Sequence, residues 1–247
     1  MQAEAPRTLT FTVPHQSCDA FVLSYRAVSI LCFGNLWHVK LKLSFTMTVV
    51  AVDRTDLRRA LFRLATEQAG YFSAAQARDL GYSYQAQAHH VEAGNWVRVE
   101  RGVFRLADWV TGVHDEFAMW TLWSRGKAIV SHESALAVHG IGEFESARVH
   151  LTIPRNFRMT APAVVVHCVE LPESDIEQRV GFRVTTPLRT IIDVASQLPD
   201  EEQLARAIEQ AVSEGLLSVR SLRSRAEVVD VRAALRIERA RNIGVKR

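Results

Sequence analysis

The order of apolar and polar positions between residues 53 and 106 predicts three helices followed by a β-hairpin. A first run of apolar residues recurs at helical spacing up to about Gln68, and Asp53 or Thr55 can cap its start. Ser73 and Ser83 stand where they would cap two further helices, each of which ends at a glycine. We expect these two helices over Ala74–Leu80 and Tyr84–Ala93, and hairpin strands over Trp96–Val99 and Val103–Leu106 around Glu100-Arg101-Gly102.

The rest of the chain alternates between strand-like and helix-like segments. β-branched runs predict the strands, and caps, prolines and glycines bound the helices. Strands are expected over Arg148–Ile153, Val164–Val169 and Phe182–Val184, and helices over His114–Trp123, Glu133–Val138, a segment opening at Pro187, Glu201–Glu214 and Ser218–Arg241.

These elements predict an α+β protein. A winged helix-turn-helix over residues 53–106 is followed by a mixed α/β C-terminal domain over residues 110–247. Residues 1–46 form a doubtful N-terminal extension with little periodicity, apart from an alternating stretch, His38–Phe45, that predicts a strand. Either the true start is Met47, which we favour, or the extension is genuine and carries that strand.

Composition indicates the general class of protein but does not decide its function. The chain is 48% hydrophobic and 23% charged, which is ordinary for a globular protein. Its formal net charge of +3 is too small to argue nucleic-acid binding by itself. Cys18, Cys32 and Cys168 show no metal-binding spacing and favour a reducing cytoplasm. No apolar stretch reaches the length of a membrane span, so we expect a cytoplasmic protein that does not act at a membrane.

The third helix of a winged helix-turn-helix enters the major groove of double-stranded DNA with its N-terminal half, and the wing contacts the backbone or the minor groove. Glutamine can bond adenine in a bidentate manner, whereas hydroxyl groups and arginines hold phosphates. A winged helix can also be a protein-interaction module, and that alternative stays open here. The candidate DNA-binding residues are Ser83, Tyr84, Gln85, His89, Arg98, Arg101 and Arg105.

Catalytic motifs are absent from the sequence. His132-Glu133 begins like a zinc-binding HExxH motif, but the next histidine is His139, which is one turn too far along. Ser131 is not part of a nucleophile elbow, and no glutamate is followed two residues later by lysine, as a nuclease core would require. We therefore expect no catalytic residue, no metal site, no cofactor and no enzymatic activity. Arg189 and Asp193, four residues apart, are interpreted as a salt bridge on one helix face.

Several short stretches, which occur in a consistent order over about residues 54–220, resemble the AbiEi-type antitoxins of type IV toxin–antitoxin systems. Two positions depart from the family pattern, because Gln87 replaces an aliphatic residue in the recognition helix and Phe104 replaces a tyrosine. The polar Gln87 suggests a rotated or less tightly packed helix. The similar stretches are Gly70–Ala77, Gly81, Val91–Leu106, Ser131–Leu136, His150–Pro154 and Thr185–Ala195.

The resemblance implies a function. Such a protein is expected to bind inverted repeats in its own promoter as a transcriptional autorepressor and to neutralise a cognate nucleotidyltransferase-type toxin. Direct contact between antitoxin and toxin stays open. The alternative is a stand-alone winged-helix transcriptional regulator whose C-terminal domain senses a ligand or a partner.

Overall fold

A computed structural model describes residues 30–33, 36–39, 53–142, 146–158, 160–197 and 200–244. The first described elements are two antiparallel strands, β1 (Ile30–Phe33) and β2 (Leu36–Val39). The predicted strand His38–Phe45 overlaps β2 only at His38 and Val39. Its remaining residues, and Met47, lie outside the described residues.

The predicted helices and hairpin of the N-terminal region form close to their expected bounds, and a third strand joins the hairpin. This strand pairs with the second hairpin strand, so that a three-stranded sheet results with the order β3-β5-β4. The elements are α1 (Arg54–Glu67), β3 (Tyr71–Ser73), α2 (Ala74–Asp79), α3 (Tyr84–Glu92), β4 (Trp96–Glu100) and β5 (Val103–Leu106).

Side-chain caps start each of these helices. Asp53 Oδ1 accepts a hydrogen bond from the Thr55 amide at 3.0 Å. Ser73 forms a capping box, in which Ser73 Oγ and Gln76 Oε1 each accept a bond from the other residue's backbone amide. Ser83 Oγ accepts from the Ala86 amide at 3.2 Å. Because each cap satisfies an amide that the helix itself cannot, the starts predicted from the sequence are reproduced.

The three-stranded sheet is packed on both faces. Phe72, Trp96 and Phe104 lie on one face and form a core with the buried residues of α1. Tyr71 and Val103 lie on the other face and belong to the core of the second region. This arrangement follows from the alternation of side chains along a strand. The wing is therefore part of the contact between the two regions.

The second region is built on a five-stranded mixed sheet with the order β8-β7-β6-β10-β9, in which β7 pairs with β8 and β6 with β10 in parallel. Two strands of this region, β6 and β9, were not predicted. The elements are α4 (Asp115–Trp123), β6 (Ile129–Val130), α5 (His132–His139), β7 (Val149–Ile153), β8 (Val164–Cys168), β9 (Ile176–Gln178), β10 (Arg183–Thr185), α6 (Pro187–Gln197), α7 (Glu201–Ser213), α8 (Val219–Val229) and α9 (Val231–Gly244).

The single C-terminal helical segment expected over Ser218–Arg241 is instead two helices. Asp230 adopts an extended backbone conformation, with φ −156° and ψ 112°, between α8 and α9. Its Oδ1 accepts hydrogen bonds from the amides of Arg232 and Ala233. Asp230 therefore caps α9, which a residue in the middle of a continuous helix cannot do.

Two apolar cores meet at α5. Leu136 packs with buried residues of α6, α7, α8 and α9 in one core. Ala135 packs with the sheet, α4 and the wing in the other. One short helix therefore contributes to both cores.

Candidate nucleic-acid interface and buried polar clusters

The recognition helix α3 presents one face to solvent. Tyr84, Gln85, Ala88 and His89 are all exposed, and they recur at the spacing of one helical face. Tyr84 is 65% exposed despite its aromatic ring. Ser83 caps the start of this face and is itself exposed. The α3 candidates thus lie together on one surface that begins at a helix N-terminus.

Gln87 explains how α3 is fixed. This side chain is only 3% exposed, and its Nε2 donates 3.0 Å hydrogen bonds to the carbonyls of Ala74 and Tyr82. The expectation that a polar residue here would leave the helix less tightly packed is therefore wrong. The amide replaces aliphatic packing with one hydrogen bond to the first residue of α2 and one to the turn between α2 and α3.

His90 has a packing role that sets it apart from His89. Its ring stacks on Trp96 with centroids 4.6 Å apart and meets Tyr82 edge-on. Burial lowers the pKa of His90, and the neighbouring His89 and Arg58 lower it further. His90 therefore attaches α3 to β4 through its ring, whereas His89 faces solvent.

The wing holds two of its three candidate arginines in the open. Arg98 lies over the Phe104 ring, 5.3 Å from the centroid, which is a cation–π contact. Arg101 is exposed at the hairpin tip. The tip is tied to the start of α2, since the Ala74 amide donates to the Gly102 carbonyl at 2.8 Å. The side chains of Arg98 and Arg101 therefore extend from a well-anchored hairpin.

Arg105 lies on the opposite face of the wing from Arg98. In the sheet register, Arg105 faces Tyr71 and Val97, whereas Arg98 faces Phe104. Arg105 is half-buried, and its Nε has no hydrogen-bond partner among the described residues. Of the three wing arginines, Arg105 is therefore the one that contributes least to the exposed surface formed by Arg98 and Arg101.

The structure adds two arginines to this neighbourhood that were not among the candidates. Arg78, in the last turn of α2, donates to the Tyr84 hydroxyl at 3.5 Å. Arg58 of α1 is close enough to Tyr82 and His90 to influence their pKa values. Both are exposed. Their relation to α3 depends on how the helices cross, which sequence spacing does not give.

The second region contains a buried ionic network. Arg189 Nε donates to Asp193 Oδ1 at 2.8 Å, which confirms the predicted pair, and Arg189 Nη1 donates to Asp175 Oδ2 at 3.0 Å. Arg225 of α8 adds bonds of 3.0 and 2.9 Å to the two oxygens of Asp175. Burial raises the pKa of Asp193 to about 6, against the attraction of Arg189. The network joins α6, α8 and the turn before β9.

A second polar cluster contains three histidines that could hold a metal ion. One ring nitrogen from each of His132, His150 and His167 lies within 4.8 Å of the others. His139 is elsewhere, because its Nε2 bonds the Thr185 carbonyl at 2.7 Å. His132 was singled out in the sequence for a local motif, but its partners come from strands β7 and β8.

The fold thus defines a winged helix-turn-helix joined to a mixed α/β domain. One family model, described as "Transcriptional regulator, AbiEi antitoxin", matches residues 59–107, and another, described as "AbiEi antitoxin C-terminal domain", matches residues 128–243. The chain belongs to the AbiEi antitoxin family, and its role is that of an antitoxin and transcriptional regulator. Neither description names a catalytic activity.

Comparison with solved structures supports the fold. The crystal structure of the RV2827C protein from Mycobacterium tuberculosis matches with a TM-score of 0.51 and 14% identity, over 75% of this chain and 77% of that one. No curated protein matches the chain. Among the helices that the structure describes, none combines the length and the apolar character of a membrane span.

Proposed function

We propose that this antitoxin represses its own promoter by binding inverted repeats in double-stranded DNA, and that it neutralises a toxin of the nucleotidyltransferase class. The observation that carries the DNA-binding half is the outward face of α3, whose inner face is fixed by Gln87 and His90. A helix that is held this way offers its N-terminal half to a groove without first having to be ordered.

The side chains on this face suit two kinds of DNA contact, to phosphates and to base edges. The backbone amides at the start of α3 and the hydroxyls of Ser83 and Tyr84 suit phosphate oxygens. Gln85 and His89, farther along, are placed to reach base edges. Ala88 lies between them and is small, which lets the helix approach the groove closely.

The positions of the arginines, rather than the net charge of the region, support DNA binding by this surface. Residues 53–107 carry eight arginines and six acidic residues, so their net charge is slight. Arg98 and Arg101 extend from the wing, and Arg58 and Arg78 lie near α3. Each arginine that neutralises a phosphate adds to affinity by releasing counterions. In this proposal Arg105 contributes least, because it faces the other side of the sheet.

The antitoxin half of the proposal is assigned to the second region. Its support is the family description matched to residues 128–243. A fragment that begins near Val110 is a poor test, since Tyr71 and Val103 of the wing belong to the core of this region. Full-length variants should be used instead.

The double variant Arg98→Ala/Arg101→Ala tests the wing. Binding to operator and to unrelated DNA should weaken to a similar degree, and the slope of log K against log salt should fall by about 2, one unit for each lost phosphate contact. Arg155→Ala/Arg158→Ala is the matched control, because it removes the same charge from exposed positions of the second region. A gel shift with equal salt dependence in both variants would count against the wing.

Gln85→Ala tests base reading by α3. If Gln85 bonds a base, the loss should be roughly 1–3 kcal/mol at one base pair of the operator and small at the others. A uniform loss over all operator variants would instead assign Gln85 to a phosphate.

Co-expression separates the two activities. The gene that neighbours the antitoxin gene supplies the candidate toxin for this experiment, and the proposal expects it to encode a nucleotidyltransferase. The Arg98→Ala/Arg101→Ala variant should still restore growth, while a promoter reporter becomes derepressed. Loss of protection with repression intact would reverse the assignment of the two regions, and a neighbouring gene without toxicity would favour the stand-alone regulator.

A further inference from the structure

Three histidines and one glutamate meet at the start of α5, and we refer to His132, His150, His167 and Glu133 as the histidine cluster. The ring nitrogens of the histidines lie within 4.8 Å of one another. Glu133 Oε2 lies 2.9 Å from His150 Nδ1. His132 is buried, and the other three members are half-buried.

The fold builds this cluster from three separate segments. His132 and Glu133 open α5, His150 lies in β7 and His167 lies in β8. The parallel register pairs His150 with Val165 and His167 with Thr152. Since side chains two residues apart share a face, His150 and His167 are diagonal neighbours on the same side of the sheet.

Hydrogen bonding alone leaves the cluster incompletely satisfied. His150 Nδ1 is approached by Glu133 Oε2 at 2.9 Å and by His167 Nε2 at 3.1 Å. One ring nitrogen has a single proton or a single lone pair, so it cannot engage both neighbours well. Glu133 Oε2 is in fact buried without a hydrogen-bond partner of suitable geometry among the described residues.

The outer partners of the cluster are arranged as around a metal ligand. Ser131 Oγ lies 3.0 Å from His132 Nδ1, and Ser131 is itself bonded by the Thr152 hydroxyl. Gln197 Nε2 donates to His167 Nδ1 at 3.2 Å. With the amide turned over, Gln197 Oε1 takes that place and accepts a bond from an Nδ1–H of His167. Metal-bound histidines generally donate from their second ring nitrogen to such an oxygen, which fixes the orientation of the ring.

The backbone also holds His132 in an uncommon conformation. Its φ is +53°, a left-handed value at a residue that is not glycine. Such values persist where the surroundings enforce them, and they concentrate at binding sites. Here the conformation places His132 against His167, with ring centroids 3.6 Å apart.

We propose that the histidine cluster binds one divalent transition-metal ion, best Zn²⁺, through a ring nitrogen of each histidine and the Glu133 carboxylate. Tetrahedral Zn²⁺ bound at about 2.0–2.1 Å holds its ligand atoms roughly 3.4 Å apart. The contacts of His150 to His167 and to Glu133 are already near that separation. The stacked rings of His132 and His167 turn apart when the ion enters, so that their lone pairs converge.

The ligand set decides the class of ion. Imidazole nitrogens favour Zn²⁺ and its neighbours in the transition series, whereas Mg²⁺ and Ca²⁺ require oxygen ligands. Four protein ligands make a closed site of the structural kind. The bound ion would crosslink α5, β7 and β8 and so stabilise the second region.

Metal binding to the full-length protein tests the proposal. Chelator-treated protein should take up one Zn²⁺ per chain in equilibrium dialysis, and Co²⁺ should give the intense visible absorption of a tetrahedral site. His167→Gln should weaken Zn²⁺ binding by more than about 100-fold, since even outer partners of metal ligands contribute 10–100-fold. His114→Gln is the matched control, because this histidine stacks on Phe117 in another part of the region.

Glu133→Gln is the second variant, in case His167→Gln does not fold. It keeps the size of the side chain and should weaken Zn²⁺ binding at least about 10-fold, which the thermal shift produced by Zn²⁺ reports independently. Failure of the native protein to take up Zn²⁺, or uptake that is equal in the native protein, His167→Gln and Glu133→Gln, would overturn the proposal.

Discussion

The two regions of this protein place their polar side chains differently. Within residues 53–107, the only buried polar side chain among those described is that of Gln87. The second region buries ten in its described part: Ser124, Ser131, His132, Ser134, Thr152, Asp175, Thr185, Arg189, Thr190 and Asp193. The first region uses polar groups at helix starts and on its surface, and the second uses them inside.

This difference has an energetic consequence. A cap or an exposed side chain can be changed at a cost of about 1 kcal/mol, because water replaces what is lost. A buried group that loses its partner bears its full desolvation penalty. The second region should therefore be sensitive to single polar substitutions, and the first should tolerate them.

Asp175→Ala should have the largest effect. It leaves Arg189 buried and Arg225 half-buried without the carboxylate that binds both. Breaking a buried ion pair on one side costs roughly 3–5 kcal/mol, and urea denaturation monitored by circular dichroism measures the loss.

The matched control for this substitution is Glu177→Ala, two residues farther along. Glu177 pairs with Arg179 at 2.8 Å on the surface. Such pairs contribute about 0–1 kcal/mol, so the control should be nearly as stable as the native protein. Equal losses in both variants would show that the network is not a buried one.

The pattern of the sequence predicted one part of this network and missed the rest. Arg189 and Asp193 are four residues apart, which the helical period brings together. Asp175 and Arg225 are separated by fifty residues, and no local rule connects them. For the same reason the sequence singled out His132 but missed His150 and His167, which only the strand register places beside it.

Asp193→Asn should change the pH dependence of stability. Burial raises the pKa of Asp193 to about 6 from the ordinary 3.8, although Arg189 opposes the shift. The folded state therefore holds this proton more tightly, and native stability falls as pH rises from about 4 to about 6. The variant lacks this titration, so its stability relative to the native protein should rise over that range.

The stability of Asp193→Asn relative to the native protein should rise by no more than about 3 kcal/mol, because each pKa unit corresponds to about 1.4 kcal/mol. It should level off above pH 6. The two curves come from urea midpoints measured at several pH values. A relative stability that falls as pH rises would mean that Arg189 outweighs burial and that the carboxyl is charged throughout.

Gln87→Leu tests the one buried polar side chain of the first region. It introduces the aliphatic type of residue that the family pattern has at this position. It also leaves the carbonyls of Ala74 and Tyr82 without the Nε2 donor. We expect a net loss of roughly 1–2 kcal/mol, since apolar burial offsets part of the penalty. Gln85→Leu, on the exposed face, should leave stability unchanged. A stabilised Gln87→Leu variant would show that the two bonds are not needed.

The sequence predicted part of the candidate DNA-binding surface, as it predicted the caps of the neighbouring helices. The position of Ser83 as a cap and the period of α3 together identify which residues face outward. They do not identify Arg58 and Arg78, because helix crossing brings these arginines near α3. Nor do they show that Arg105 belongs to the face shared with the second region.

Ser73→Ala and Ser83→Ala form a matched pair with the smallest expected effects. Both serines accept a hydrogen bond from an amide in the first turn of their helix, at 3.1 and 3.2 Å. Each substitution should cost about 1 kcal/mol of stability. Only Ser83 lies on the proposed DNA surface, so only Ser83→Ala should also weaken DNA binding, by roughly the 1 kcal/mol of one hydrogen bond. Fluorescence anisotropy at a temperature where both variants are folded distinguishes them, and an equal loss of binding in both would mean that Ser83 acts only as a cap.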